Sequence, residues 1–441
     1  MRKYLLMLLA TLVVLFGGLF FFLSRGQEAQ VPQSALEGRE PRFTEPRREI
    51  FPTIRIAKAV GWPQGAQPVA AGGLKVTRFA DGLDHPRSLY RLPNGDVLVA
   101  ETNSPVRPDN GIRGRIMKLV LGRAGAGNPS ANRITLLRDS DGDGRADMRV
   151  AFLTGLNSPY GMALVGDTFY VANTDSLMAF PYKAGDTRIA AKGRKILNLP
   201  ANAPNDHWAR TLVASPDGTK LYVGVGSATN IADQGIEAEQ NRACVLQVDL
   251  KTGDYKIYAS GLRNPSGLAI HPDTGELWAT VNERDLLGPD LVPDYMTQVD
   301  FAAFYGWPWN YWGGYEDKRV EPGRPDLREY TRRPDYALGA HVAPLGIAFA
   351  KGSAVGEGFA RGAFVALHGS WNRKPPSGYK VVFVAFDGRG KPLGKPRDFL
   401  TGFLNSKGEA QGRPVDILVA KDGALLVSDD VGNMVWRVAA K

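Results

Sequence analysis

A single cysteine, Cys244, among 441 residues excludes an intramolecular disulfide and every zinc site built on paired thiolates. It stands in the alternating run NRACVLQVDL, which reads as a strand carrying a buried, inert thiol. No GxSxG, HExxH or P-loop occurs, which removes the hydrolases, zinc proteases and phosphate-loop enzymes built on those motifs. Basic charge is not concentrated anywhere: the net charge of +9 is spread thinly along the chain, so a nucleic-acid footprint is excluded. Sustained heptads, a Gly-X-Y repeat and a disordered composition are also missing. What is abundant is punctuation, with 51 Gly and 30 Pro, which suits many short strands and turns.

Residues Tyr4 to Leu23 carry no charge and run for about 20 residues, long enough to cross a bilayer as a helix. Arg2 and Lys3 precede them, so the positive-inside rule keeps the N-terminus cytoplasmic and sends the body outward. No A-x-A site follows, which favours an uncleaved anchor over a removed signal. The expectation is an anchor or signal over 1–26, a Glu, Arg, Pro and Gln-rich tether over 27–60, and a folded unit over 61–441. The body would then be periplasmic or otherwise extracytoplasmic, held at the inner membrane.

One pattern recurs in the body: a small residue and Pro, a short apolar run, a Gly- or Asp-containing turn, then a strand. It opens as GLDHPRSLYRLPNGDVLVAETN from Gly82, GLNSPYGMALVGDTFYVANT from Gly155 and HWARTLVASPDGTKLYVGVGS from His207. Further copies begin at Gly261, Ala343 and Gly412. Repeats roughly 50 to 80 residues apart, each with paired short strands, predict an all-β, six-bladed β-propeller with an N-terminal transmembrane helix. A seventh, irregular blade has room between the first two copies or in Leu286 to Arg333.

Residues just before each first strand should line one rim of the central channel, which places Asp84, His85, Asn157, Asp206, His207, Arg263, Asn264 and Arg413 together. Arg, His and Asn without paired carboxylates favour an anionic ligand over glycosidase chemistry. A propeller alone decides nothing further.

The segments NDHWARTLVASPDGTKLYVGVGS, GLRNPSGLAIHP and FYGWPWNYWGGY, in this order, resemble the pyrroloquinoline quinone (PQQ) dependent sugar dehydrogenases, soluble glucose and aldose dehydrogenases among them, and the sorbosone dehydrogenase branch most. The likeness covers roughly Leu74 to Val438. It implies oxidation of a sugar, aldose or sugar-derived aldehyde by hydride transfer to PQQ, with His207 as base. It puts Arg263 on the quinone oxygen, beside Asn264. Arg413 in GRPVD matches one of two late arginines that clamp the cofactor's carboxylates, whereas Val415 replaces the other. In HGSWNR the family's lysine falls at Asn372 or Arg373, and Arg373 is preferred; Trp371 could stack over the cofactor ring.

The family's Ca²⁺ site falls in VNERDLLGPD, at the carbonyls of Glu283 and Arg284, with the family's Gly-Pro missing and the side chains of Glu283 and Asp285 as substitute ligands. Ser227 stands where glucose-oxidising members carry an Asp, so substrate preference is not carried over. Separately, DSDGDGRAD places Asp139, Asp141, Asp143 and Asp147 like the first part of an EF-hand loop, with Val150 in place of the closing Glu. That spacing predicts an open calcium site or, alternatively, a solvated hairpin. Electrons would pass to a quinone or cytochrome acceptor near the membrane. Two other readings stand beside this one: a calcium-dependent lactonase-like propeller and a non-enzymatic binding propeller.

Overall fold

The computed structural model describes residues 3–4, 26–47, 53–106, 111 and 121–441. Within them six antiparallel sheets of four or five strands are arranged as blades around one axis. Each sequence repeat begins a blade. The innermost strands are Pro86–Arg91, Gly161–Val165, Arg210–Ala214, Pro265–Ile270, Pro344–Phe349 and Pro414–Val419. Each touches the next and the sixth touches the first, so the ring closes around a central channel of about 390 Å³. Blade six is made from both ends of the body: Leu74–Ala80 pairs antiparallel with Met434–Ala440.

The recurring Pro-x-Gly has a packing cause. A Cβ on Gly267 would lie 2.1 Å from the carbonyl oxygen of Leu345 in the next blade, so the inner strands approach too closely for a side chain there. Further out the blades bury each other's faces. Leu98, Ala100 and Ile134 of blade one meet Met162, Phe169 and Val171 of blade two, and Phe169 stands edge-on to Phe152 at 5.4 Å. Burying a side chain such as Phe169 contributes about 2 to 3 kcal/mol. Cys244 is fully buried in the strand Cys244–Asp249, and burial pushes its thiol up to about 12, as an inert core residue requires.

Among the described residues, neither stretch with room for a seventh blade forms one. The residues between the first two copies supply Arg133–Arg138 and Met148–Leu153, the outer strands of blade one. Leu286 to Arg333 supplies Pro293–Gln298 to blade four and a small hairpin of Asn310–Tyr311 with Tyr315–Glu316.

The expected membrane span lies, beyond Tyr4, outside the described residues; among these no helix is long and apolar enough to cross a membrane. The described part of the expected tether is laid on the propeller. Glu37–Gly38 pairs with Tyr336–Ala340 as a fifth strand of blade four, Leu36 is fully buried, and Phe43 stacks on Tyr315 at 4.8 Å. Few apolar residues cannot build a core, but a backbone can still pair with an open sheet edge, and it does so here.

Candidate functional site

His207 lies just before the inner strand of blade three, and its orientation is set by the backbone it meets. Its Nδ1 lies 2.9 Å from the carbonyl oxygen of Ser227 and 3.0 Å from the Ser227 hydroxyl. A carbonyl only accepts, so Nδ1 carries the proton and Nε2 presents a lone pair. Burial, then the neighbouring charge of Arg263, hold this imidazole down to about 3, so it is neutral at physiological pH. Gly226 makes the arrangement possible. A Cβ there would lie 2.5 Å from Cβ of His207 and 2.4 Å from Oδ1 of Asn264, so bare backbone lets the starts of blades three and four come together.

Arg263, 5% exposed, begins blade four and is fixed by acceptors on several sides. Its Nε and Nη2 donate to the carbonyl and side-chain oxygens of Asn230 at 3.0 and 2.9 Å, and its Nη1 donates to the carbonyl of Glu283 at 2.7 Å. Its Nη2 also lies 3.4 Å from Oδ2 of Asp285. Asp285 accepts from Asn372 at 2.7 Å and faces Nδ1 of His341 at 3.4 Å. Against the upward push of burial, His341, Arg263 and Asn372 hold its carboxyl below the usual range.

At the expected calcium site most of the donors already have partners. The Glu283 carbonyl already receives a guanidinium, and Arg284, fully buried, donates to the carbonyls of Pro308 and Asn310 and faces Asp317. The Glu283 carboxylate turns to Arg284, and Asp285 is met by three donors. One acceptor is left over: Oε1 of Glu283 is buried with no hydrogen-bond partner among the described residues.

A second pole gathers around Asp430, which follows the strand Leu425–Asp429 of blade six. Arg87 donates Nη1 to its Oδ2 at 2.5 Å, Nε2 of His368 lies 2.9 Å from the same oxygen, and Nδ1 of His85 lies 3.2 Å from its carbonyl. Although burial pushes the other way, His368, His85 and Arg87 hold this carboxyl well below its usual value. Beside it is a cavity of about 220 Å³, lined by His85, Arg87, Asp206, Trp208, His368 and Arg413 among others. Arg413 is 5% exposed and lies over the Tyr379 ring at 5.1 Å. The Nε atoms of Arg87 and Arg413 are buried with no hydrogen-bond partner among the described residues. Unpaired buried guanidinium N–H groups beside a cavity fit an anionic ligand.

The loop His368 to Arg373 reaches both poles, His368 bonding Asp430 and Asn372 bonding Asp285. Trp371 stands between them, 39% exposed and without an aromatic partner among the described residues. Arg373 does not join them. Its guanidinium is engaged by Asp290 at 3.3 Å and by the carbonyls of Pro289 and Val31, so of the two adjacent candidates Asn372 turns inward. Asn157 is tied to Asp175, away from the cavity.

In the acidic loop, carboxylate oxygens of Asp139, Asp141 and Asp143 lie within 4.8 Å of one another. Asp147 bonds Ser140 instead, and Asp139 accepts the backbone N–H groups of Gly142 and Gly144.

Sequence reasoning missed Arg87, His341 and Asp430, and named Asp285 only as a metal ligand. A signal was present. Arg87 lies two residues after His85, and Glu283, His368 and Asp430 all fall just after the second strand of a repeat, an end of the pattern as regular as its start.

Comparison with known proteins bears on the fold and the family. The TrAA12-like family matches residues 128–293 and 327–441. An uncharacterised protein of Borreliella burgdorferi is 30% identical over 292 residues, covering 64% of this chain and 76% of that one. The PQQ-dependent pyranose dehydrogenase of Coprinopsis cinerea is 35% identical over 170 residues, 31% of this chain and 23% of that enzyme. The holo PQQ domain of the Coprinopsis cinerea pyranose dehydrogenase superposes with a TM-score of 0.68 at 20% identity, covering 87% of this chain and all of that domain. A calcium structure of the Trichoderma reesei carbohydrate-active enzyme of family AA12 gives 0.69 at 19% identity, over 88% and 99%. These superpositions establish a shared fold. With its family match over more than half its length, the chain belongs to the TrAA12-like family, within the superfamily of PQQ-dependent sugar dehydrogenases that its rim motifs resemble.

Proposed function

We propose that this protein is a PQQ-dependent dehydrogenase that oxidises a sugar, aldose or sugar-derived aldehyde of the sorbosone kind. One observation carries the reading: a neutral imidazole, His207, whose Nε2 has no hydrogen-bond partner among the described residues, shares a rim with buried guanidinium N–H groups that likewise lack partners among them. PQQ, when bound, supplies the acceptor for the hydride leaving the substrate carbon. Arg413 and Arg87 would hold its carboxylates, Arg263 and Asn264 would fix it from blade four, and Trp371 would cover it. His207 takes the substrate hydroxyl proton at Nε2 while the Ser227 carbonyl keeps the ring oriented. No step is derived through a calcium ion at Glu283 and Arg284. In this reading calcium belongs to the Asp139, Asp141 and Asp143 loop, as a stabilising ion away from the chemistry. In the same reading the apolar run at Tyr4 to Leu23 would hold the body outside the inner membrane, close to a quinone or cytochrome acceptor.

The lactonase-like alternative needs free carboxylates around a central ion, and Asp285, Asp317 and Asp430 are each engaged by arginine. A purely binding propeller gives no account of the bare His207 nitrogen. The test is to load the purified full chain with PQQ and screen sugars with a dye acceptor. Quinone-dependent turnover is expected; saturable PQQ binding without turnover on any sugar or sugar aldehyde would overturn the enzyme reading.

A further inference from the structure

The cavity is lined by His368, an imidazole whose surroundings differ from those of His207. Nε2 of His368 lies 2.9 Å from Oδ2 and 3.2 Å from Oδ1 of Asp430. Asp430 is ionised, its side chain 2% exposed and already paired with Arg87. An ionised carboxylate only accepts, so the neutral His368 ring carries its proton on Nε2. Nδ1 is then the bare nitrogen, and it has no hydrogen-bond partner among the described residues. A carboxylate behind an imidazole orients it and stabilises the imidazolium it becomes, an advantage the Ser227 carbonyl does not give His207. The charged groups facing His368 are Asp430, Arg413 and Arg87, with His85 on the far side of the carboxylate. Burial outweighs Asp430 and holds His368 down to about 4.

We propose that His368 and Asp430 form a second acid–base pair of the cavity, with His368 Nδ1 able to accept a proton that His207 does not take. The kinetic part of this proposal rests on the quinone-dependent reading above. In that oxidation the substrate C–H bond breaks and its electron pair leaves as hydride to the quinone. The O–H bond breaks as well, its electrons becoming the second bond of the carbonyl and its proton passing to an imidazole nitrogen. His207 Nε2 is one acceptor and His368 Nδ1 is the other.

Asp430→Asn would strip Arg87 of its partner and endanger the fold, so His368→Gln carries the test, since glutamine can still donate to Asp430. The first measurement is ¹⁵N-histidine NMR of the full chain without cofactor, in which the signal lost in His368→Gln identifies the ring. A neutral ring protonated on Nε2 is expected; a proton on Nδ1 would overturn the proposal. The second compares PQQ-loaded His207→Ala with His207→Ala/His368→Gln on the sugar selected in the screen. The double variant should be slower by about tenfold or more, with the acidic limb of the kcat/KM profile altered. Equal rates and identical pH profiles would show that His368 is only structural. Failure of the unmutated protein to bind PQQ would remove the dehydrogenase reading, while the NMR experiment would still decide the state of the His368–Asp430 pair.

Discussion

Arg263 donates Nη1 to the carbonyl oxygen of Glu283 at 2.7 Å, joining the first residues of blade four to the end of its second strand. This bond puts a fixed organic cation where a divalent ion was expected. In the proposed reading the cofactor's negative charge is met by guanidinium groups, and the consequences are measurable.

Chelation separates the two calcium expectations. Removing calcium should lower the melting temperature of the apo-protein, because an ion bound only to the folded state stabilises it. Asp141→Asn with Asp143→Asn should abolish that difference. PQQ affinity, by contrast, should stay within about threefold in chelator, since the rim carbonyl is already engaged. Loss of PQQ binding in chelator would contradict the geometry around Glu283.

His207 and Arg263 should fail differently. His207→Ala should leave PQQ affinity nearly unchanged while kcat falls ~10²- to 10⁴-fold, the usual scale for a positioned base. Arg263→Ala should weaken PQQ binding as well as slow turnover, and Lys should rescue only in part because the planar fork is lost. Titration of the apo-proteins with PQQ before measuring rates distinguishes the two.

Gly226→Ala tests the cradle. Its methyl must displace His207 or Asn264, so a stability loss of about 1 to 3 kcal/mol is expected together with a fall in kcat. Wild-type turnover in this variant would show that the contact between blades three and four does not position the base.

Acid should destabilise the protein partly through its rim histidines. His207 and His368 are held down to about 3 and about 4, so between pH 6.5 and about 4 the unfolded chain binds protons that the folded chain refuses. Stability contributed by these groups falls as pH falls through that window. Asp416 and Asp429, which burial pushes up to about 6, act with the opposite sign, so the variant comparison is the informative one. The melting temperature of His207→Gln should drop less from pH 7 to pH 4 than that of the wild type; parallel curves would contradict the assignment.

The six blades were legible because packing at the axis writes itself into sequence: Gly267 must be small, and the residues around it repeat for the same reason. The repeat alone put His85, Asp206 and Arg413 on one rim, where they line the cavity, whereas the roles proposed for His207, Arg263, Asn264 and Arg413 came from the resemblance. Adjacent residues defeated it. Asp429 and Asp430 are chemically identical, yet Asp429 accepts from the half-buried Trp62 indole and the buried Trp436 indole while Asp430 faces the cavity. Likewise Asn372 turns in and Arg373 turns out, because Asp290 and the carbonyl of Val31, a residue of the expected tether, wait on the outer side. Composition could say that the tether builds no core; it could not say which sheet edge its backbone would find.

The most direct measurement is a titration of the purified apo full chain with PQQ, followed by fluorescence or calorimetry, in the wild type and in Arg413→Ala. The account predicts saturable binding of one PQQ per chain, weakened at least tenfold when Arg413 is removed. No binding by the wild type, or equal affinity in the two proteins, would contradict it.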